Sequence, residues 1–471
     1  MHKLTLFSLL LFAAHFAFGT TTIKCENADY AGRKLDFYFY TDPVTKESKF
    51  AFSLKFDKSG KSIATTNYKT TGFVFCDFDI YHGMLFIEPG KTVEILLPPV
   101  HKKSFADQKN PYFSPAAFWF KTKNNNQLND RISDFTQQFN RLTNKYFNQL
   151  YFRQSKEIYD SLTYFIDKQF GDIHSETFLF HKKSKLKMVA AEAFREKPEQ
   201  FSNYFANAKS KFWLYPSFID IFEKAFNNQL SFVAKSVKEE DLRKAVNGAN
   251  IQVLQKFVKN RYSVSGEMAD LVTLKLLHDA YYSNQFSKTA IRKMVKNEKF
   301  TKNGNKIVKV AALRCSAKFT HLQKGTPAPV ICLKDISGQQ VCTNKEKTKF
   351  KYIIFADTEM IVCREQLKYL TNIQQRFQKY LEIFVVLRKT DEPEMKKFLD
   401  KNKIVGTKLI DTNGEFISGY KIKSFPQCFL LNENHEVQFT ATKTPLEGFE
   451  QQFGKFLQNE LFMRQRNQSE K

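Results

Sequence analysis

Hydrophobic and polar residues alternate along the first hundred residues that follow an apolar N-terminal run. Between residues 50 and 56, large apolar side chains occupy every second position. A period of two is typical of strands that bury one face, so Phe50 and Phe52 are expected on the same side of a strand. Similar segments separated by turn residues follow up to about residue 97. The pattern predicts an antiparallel, β-sandwich-like domain over residues 20–120.

The periodicity changes after a polar, proline-containing stretch at residues 98–126. Between Leu128 and Leu150, apolar residues recur at intervals of three and four, which places them on one face of a helix. Further segments with this spacing continue to about residue 319. We predict an α-helical domain over residues 121–322, and we interpret its aromatic stripes as packing surfaces between helices.

Strands and helices alternate in the last third of the chain. The segments with strand character are residues 352–355 and 383–387, and those with helix character begin near residue 363 and cover 394–402 and 445–461. This β-α-β order, followed by a final strand pair and a closing helix, predicts an α/β domain with a thioredoxin fold over residues 323–471. The whole chain is therefore expected to be a multidomain α+β protein.

A resemblance to a known family rests on residues 355–370, which match the strand-to-helix turn where thioredoxin-like proteins carry Cys-x-x-Cys. The motifs resemble those of the TlpA and ResA class of envelope thioredoxins, and the three-part chain is similar to multidomain thioredoxin-like proteins of Bacteroidetes envelopes. The resemblance places Met360 at the first cysteine and Cys363 at the second. It implies a degenerate redox site, because dithiol exchange needs an attacking thiolate and a resolving thiol.

The same resemblance assigns a role to Phe425 and Pro426. In this family a cis proline lies against the redox cysteines and shapes the groove that holds a substrate peptide. The resemblance implies a cis bond between Phe425 and Pro426, in line with the near confinement of cis bonds to X-Pro. Phe425 is larger than the residues common before that proline, so we expect it to narrow or fill the groove.

Three functions remain open at this point. The first is a non-catalytic module that binds envelope proteins or peptides, which the absence of the first cysteine favours. The alternative is a monothiol redox protein with Cys363 as the catalytic residue, either peroxiredoxin-like or forming mixed disulfides. A peroxidatic thiolate needs a hydrogen bond and a nearby arginine, but Met360 donates no hydrogen bond and Arg364 points about 100° away on a helix. The third is a structural envelope protein whose β domain attaches to a surface.

The first 19 residues predict a cleaved secretory signal. His2 and Lys3 precede an apolar run, and Ala17 and Gly19 are small residues at the two positions that a signal peptidase reads. The run is shorter than the roughly 20 residues that span a bilayer. We expect a protein of the periplasm or of the extracellular space, with no transmembrane segment after cleavage.

Seven cysteines make an odd number, so at least one thiol stays free or pairs between chains. Centring the hairpin of residues 330–343 on Ser337 places Cys332 opposite Cys342, near enough for a cross-strand disulfide. Two further disulfides remain open as alternatives, one between Cys25 and Cys76 and one between Cys363 and Cys428.

Charge and the remaining motifs exclude several classes of function. The 73 lysines and arginines exceed the 48 acidic residues and give a net charge of +25. These charges are interleaved along the chain, as at residues 238–243, which is typical of a solvated surface. We expect no nucleic-acid partner and at most a weak association with an anionic surface. The sequence has no His-Glu-x-x-His, paired Cys-x-x-Cys or glycine-rich phosphate loop, so no metal or other cofactor is expected.

Overall fold

The computed structural model describes residues 20–123, 127–235 and 240–469. The chain divides into two compact units. The first contains the residues up to Lys103 together with Ser114–Ser316, and the second contains Ser104–Phe113 and Ala317–Lys471. The predicted signal at residues 1–19 lies outside the described residues. Among the described helices, none is long and apolar enough to cross a membrane.

The described part of the first unit has eight strands in two sheets. They are β1 (Thr21–Glu26), β2 (Lys34–Tyr40), β3 (Ser48–Lys55), β4 (Lys61–Thr66), β5 (Gly72–Phe78), β6 (Tyr81–Ile87), β7 (Thr92–Glu94) and β8 (Ala116–Trp119). One sheet has the order β3-β2-β5-β6-β8 and the other β4-β1-β7. Neighbouring strands are antiparallel except in the pairs β1 with β7 and β6 with β8.

Helices dominate the chain from residue 128 to residue 320. The short helix α1 (Phe105–Lys109) precedes this region and belongs to the second unit. The α-helices of the region are α2 (Leu128–Lys145), α3 (Lys156–Gln169), α4 (Glu176–Ala193), α5 (Ser202–Ala206), α6 (Pro216–Phe226), α7 (Gln229–Val233), α8 (Glu240–Asn247), α9 (Ile251–Tyr262), α10 (Gly266–Tyr282), α11 (Lys288–Val295), α12 (Glu298–Thr301) and α13 (Lys306–Thr320). The predicted stripe lies on α2 as far as Leu142, with Ile132, Phe135 and Phe139 buried, whereas Leu150 lies beyond the end of this helix.

The five-stranded sheet is covered on both faces. Val74 and Leu85 on one face are buried in a core cluster with Ile23 of the smaller sheet. Phe73 and Trp119 on the other face are buried in a cluster with apolar residues of α2, α3 and α4. Because helices bury the second face of the sandwich, the β region and the helical region form one compact unit.

A β-bulge turns the side chain of Phe50 to the opposite face of the sheet from the one expected. Phe37 of β2 lies opposite Phe52 of β3, but Tyr38 lies opposite Phe50, so Ala51 is an extra residue in β3. An extra residue reverses the faces of the residues beyond it. The side chain of Phe50 is 51% exposed while Phe52 is buried. The prediction that the two share a face is wrong, since strict alternation does not reveal a bulge.

The C-terminal unit has the strand order and directions of a thioredoxin fold. Its further elements are β9 (Cys332–Lys334), β10 (Gln340–Cys342), β11 (Phe350–Ala356), α14 (Ile361–Lys368), α15 (Leu370–Phe377), β12 (Leu381–Arg388), α16 (Glu392–Lys401), β13 (Thr407–Asp411), α17 (Glu415–Gly419), β14 (Gln427–Leu431) and α18 (Glu450–Ser469). The main sheet has the order β13-β12-β11-β14. The first three of these strands are parallel, and β14 runs antiparallel to β11.

Strand β11 determines where the candidate site lies. All its residues are buried, and its side chains alternate between two hydrophobic clusters on opposite faces of the sheet. The strand ends at Ala356, and four residues then lead into α14. Binding sites of open α/β sheets lie at this carboxyl edge, where the chain leaves a central strand.

Candidate functional site

Met360 occupies the N-cap position of α14. Its backbone is extended, its N–H donates to the Asp357 carbonyl oxygen at 3.0 Å, and its carbonyl oxygen accepts from the Arg364 N–H at 3.1 Å. The side chain is half-buried and packs against the core of the unit. A helix N-terminus stabilises a thiolate at such a position, but the thioether of Met360 cannot ionise.

Cys363 lies in the first turn of α14 and is completely buried. Burial is the largest influence on its thiol and raises the pKa to about 11, with a smaller contribution from the Asp357 carboxylate. A hydrogen bond from the Asp357 backbone and the charge of Lys109 lower the same pKa by less. The thiol is therefore protonated at neutral pH, and the protonated form is not the nucleophile.

The side chain of Arg364 is engaged by groups other than the thiol of Cys363. Its Nε donates to the Thr358 carbonyl oxygen at 2.5 Å, and its guanidinium lies 5.3 Å from the centroid of the Phe398 ring. The pKa of Cys363 is set by burial, Asp357 and Lys109. The cation that a peroxidatic cysteine requires is not supplied by Arg364 in this arrangement.

Cys428 is a second buried thiol on the same side of the sheet. It lies on β14 opposite Ile354 of β11 and belongs to the same hydrophobic cluster as Cys363. The hydroxyl group of Tyr352 donates to its Sγ atom, at 3.2 Å. Burial raises the pKa of Cys428 to about 12.

Neither of the two further cysteine pairs left open by the sequence forms a disulfide. Cys363 and Cys428 are both free thiols, and so are Cys25 and Cys76. The two pairings are wrong because sequence patterns do not fix the spacing between elements. Cys363 lies on a helix and Cys428 on a strand, whereas Cys25 and Cys76 belong to different sheets.

Phe425 and Pro426 precede β14 and are joined by a cis peptide bond. Phe425 is half-buried and packs against the hydrophobic clusters on both faces of the sheet. The guanidinium of Arg388 lies 5.9 Å from the centroid of its ring. The large side chain is thus part of the packed edge of the domain.

Cys332 and Cys342 form a disulfide with an S–S distance of 2.07 Å. They lie directly opposite each other on β9 and β10, as the centring on Ser337 requires. The bridge closes a surface hairpin, and it involves neither thiol of the buried cluster beside Met360.

Lys109 completes the site and was missed by sequence reasoning. Lys109 is the last residue of α1. This helix belongs to the C-terminal unit, although it precedes the rest of that unit by about two hundred residues. The Nζ atom of Lys109 lies 2.6 Å from Oδ2 of Asp357 and 2.5 Å from Oε2 of Glu359. Asp357 is completely buried, and the side chain of Lys109 is 13% exposed. The turn before α14 therefore carries a largely buried ion pair.

The sequence offers a signal for one half of this ion pair. Asp357 directly follows the buried strand β11, and a carboxylate at such a position needs a cation or several hydrogen bonds. Nothing in the sequence singles out Lys109 as that cation, because it lies in a polar stretch separated from Asp357 by 248 positions.

Two exposed apolar residues flank the buried part of the site. Ile361 and Val362 occupy the first positions of α14, where their side chains are 77% and 48% exposed. They follow Met360 directly, so the turn presents thioether and aliphatic groups where a dithiol protein would present thiols. Adjacent exposed apolar groups are typical of interaction surfaces.

The sequence model of the Redoxin family matches residues 323–452. The matched region is similar to the Redoxin family and has a thioredoxin-like fold. It contains the sheet β13-β12-β11-β14 and every residue of the candidate site except Lys109.

Two curated relatives of the thioredoxin-like domain come from Bacillus subtilis (strain 168). Thioredoxin-like protein YneN is 26% identical over 139 residues, which are 28% of this chain and 81% of YneN. Thiol-disulfide oxidoreductase ResA is 23% identical over 127 residues, 27% of this chain and 71% of ResA. A solved thioredoxin domain of a Bacteroides vulgatus thiol-disulfide oxidoreductase is 22% identical, with a TM-score of 0.27, and covers 29% of this chain and 98% of its own.

Proposed function

We propose that the thioredoxin-like domain is a non-catalytic module that binds proteins or peptides of the cell envelope. One observation carries this proposal: the first thiol position holds Met360, and the second thiol, Cys363, is completely buried with a pKa raised to about 11. A site of this kind keeps the fold of a thiol-disulfide oxidoreductase but has no thiolate to start the exchange reaction.

The surface around Met360 supports a binding role. Ile361 and Val362 are exposed, and Met360 and Phe425 are half-buried against the same hydrophobic cluster. Methionine and aromatic residues are enriched in protein interfaces, and methionine adapts to differently shaped partners. We infer a partner that presents an apolar segment to this surface.

Monothiol chemistry at Cys363 is the second candidate, and the same geometry disfavours it. With a pKa of about 11, roughly one thiol in ten thousand is ionised at pH 7. The side chain of Arg364 bonds to Thr358 and contacts Phe398, so it does not stabilise a thiolate. A redox role would require a conformational change that exposes Cys363.

An extracytoplasmic location is part of the proposal. The disulfide between Cys332 and Cys342 supports it, because structural disulfides persist in oxidising compartments. The signal predicted at residues 1–19 agrees with this location, and a periplasmic or secreted protein would meet envelope proteins as partners.

Panning a phage-displayed library of random dodecapeptides on the full chain tests the binding role. We expect selected peptides whose affinity falls at least tenfold when Val362→Asp places a charge on the apolar surface. The matched control is Val330→Asp, which changes an exposed valine of the same unit outside α14 and should leave the affinity unchanged.

The dependence of peptide binding on the Cys363 thiol distinguishes the two candidate functions in this experiment. A binding module retains the selected peptides in the Cys363→Ala variant and in the presence of dithiothreitol. Peptides retained only while Cys363 and oxidising conditions are present would contradict the proposal and would support mixed-disulfide chemistry. Failure to select any peptide sensitive to Val362→Asp would also reject this surface as the binding site.

A further inference from the structure

A pocket of the C-terminal unit lies at the carboxyl edge of its sheet, where β12 and β13 end. Its volume is about 410 Å³, within the range of ligand pockets. The lining combines three cations with three apolar side chains, namely Arg388, Lys389, Lys423, Ile417, Ile422 and Phe425. All six are exposed or half-buried, so a bound group can reach each of them.

The two lysines of this pocket have no acidic partner. Neither Lys389 nor Lys423 forms an ion pair or a side-chain hydrogen bond with any residue that the structure describes. The pocket also contains the carboxylate of Asp411, but this side chain is only 1% exposed. It accepts the backbone N–H groups of Glu415 and Ile417 at 3.0 and 2.8 Å. The carboxylate is thus engaged by the backbone, and the charges of the two lysines stay available to a ligand.

The guanidinium group of Arg388 is held in place at one wall of this pocket. One of its nitrogen atoms lies 3.5 Å from Oδ2 of Asp357, and the group lies 5.9 Å from the centroid of the Phe425 ring. The side chain is nevertheless 39% exposed, and it donates no hydrogen bond to any described residue. A guanidinium has five N–H donors in one plane, a geometry that matches a carboxylate. Arg388 therefore offers oriented and unused donors to the pocket.

The segment that follows β12 lies against the turn that precedes α14. Arg388 pairs with Asp357 of this turn, and the hydroxyl oxygens of Thr390 and Thr358 are 3.4 Å apart. The same turn leads into the surface around Met360. The cationic pocket and this apolar surface therefore adjoin each other, and one extended segment of a partner can contact both.

We propose that this pocket binds the carboxylate of an aspartate or glutamate in the partner segment whose apolar residues contact the surface around Met360. The carboxylate accepts hydrogen bonds from Arg388 and lies between Lys389 and Lys423, where charge-assisted hydrogen bonds are stronger than neutral ones. This inference rests on the binding function proposed above and specifies its partner. The module selects a segment that is both apolar and acidic.

Two matched phage libraries of dodecapeptides, panned on the full chain, test this preference. They share the same random apolar positions and differ only at the polar positions, which are Asp or Glu in one library and Asn or Gln in the other. Because both have the same phage coat, non-specific attraction to this basic chain affects them equally. We expect about tenfold higher recovery of the acidic library at physiological salt, the effect of one hydrogen bond to a charged group. The advantage should shrink at high salt, which screens exposed charges.

Two double variants locate the bound carboxylate. Lys389→Gln combined with Lys423→Gln removes two charges from the pocket and should abolish the preference for the acidic library. Lys396→Gln combined with Lys401→Gln removes the same charge from two exposed lysines of α16 that do not line the pocket. This control should retain the preference.

The outcomes separate this inference from the proposed binding function. Equal recovery of the two libraries, lost in Val362→Asp, would overturn the inference and retain the binding module. A preference that survives in the variant with both Lys389 and Lys423 replaced, or that is lost equally in the control, would also overturn it. Recovery of neither library above the background of a surface without the protein would reject both proposals.

Discussion

Replacing Lys109 with methionine is expected to lower the free energy of unfolding of the C-terminal unit by about 3 kcal/mol. The substitution retains an apolar stem of similar length but leaves the carboxylate of Asp357 buried without its closest cation. Removing one partner of a buried ion pair costs about 3–5 kcal/mol. The guanidinium of the partly exposed Arg388 lies 3.5 Å from the same carboxylate and compensates for part of the lost charge. The expected loss is therefore at the lower end of this range.

Hydrogen exchange followed by mass spectrometry measures the loss of stability in the C-terminal unit itself. Both tryptophans belong to the first unit, so tryptophan fluorescence does not report directly on the C-terminal unit. We expect the amides of β11 and β12 to exchange at least a hundredfold faster in Lys109→Met. Lys102→Met is the matched control, since it changes an exposed lysine nearby in sequence.

A double variant separates the ion pair from the packing of Lys109. Asp357→Asn neutralises the carboxylate and retains an oxygen that can accept the Glu359 N–H, which the wild-type side chain accepts at 3.0 Å. Lys109→Met combined with Asp357→Asn should therefore recover most of the lost protection. Unchanged exchange in Lys109→Met alone would show that Lys109 does not stabilise the domain.

Replacing Met360 with cysteine is expected to create dithiol chemistry that the wild type lacks. The new thiol would stand at the N-cap of α14, half-buried, where the helix N-terminus lowers a thiol pKa. Cys363, one turn further on and shielded, would serve as the resolving thiol. Exchange with an insulin disulfide transfers two electrons and two protons from the two thiols to insulin and joins their sulfurs, and dithiothreitol then reduces the new disulfide for the next cycle.

Insulin reduction by dithiothreitol, followed as turbidity, gives the measurement. We expect Met360→Cys to reduce insulin at least tenfold faster than the wild type. The rate with the wild type should equal the rate with dithiothreitol alone. Peptide mass spectrometry should find positions 360 and 363 joined after oxidation. Met360→Ser removes the thioether without adding a thiol and should stay inactive. Equal rates for wild type and Met360→Cys would show that residue 360 is not what limits the chemistry.

The sequence predicted those features of the fold that repeat along the chain. The stripe on α2 and the order of elements from β11 to α18 follow from periodicity, because burial of one face imposes a regular spacing on a helix or a strand. The resemblance at residues 355–370 located Met360 and Cys363 on the correct turn.

Features that depend on a single residue or on distant contacts were missed. The bulge at Ala51 moves Phe50 to the other face of β3, although the sequence there alternates without interruption. Lys109 lies in a polar segment inside the range 20–120 predicted for the β domain, whereas the folded chain places it against Asp357 in the C-terminal unit. Such long-range pairing has no local pattern, so only the three-dimensional structure reveals it.

The pH dependence of alkylation at Cys363 tests the central claim, that this site has no reactive thiolate. Iodoacetamide labelling of the native full chain between pH 6 and pH 10 would be quantified for the Cys363 peptide, with the guanidinium-unfolded chain as the reference. The raised pKa predicts labelling about a hundredfold slower than in the unfolded chain at pH 7, still rising at pH 10 without a plateau. A plateau below pH 8, or a sulfenic acid at Cys363 after peroxide treatment, would contradict the account and establish a monothiol redox protein.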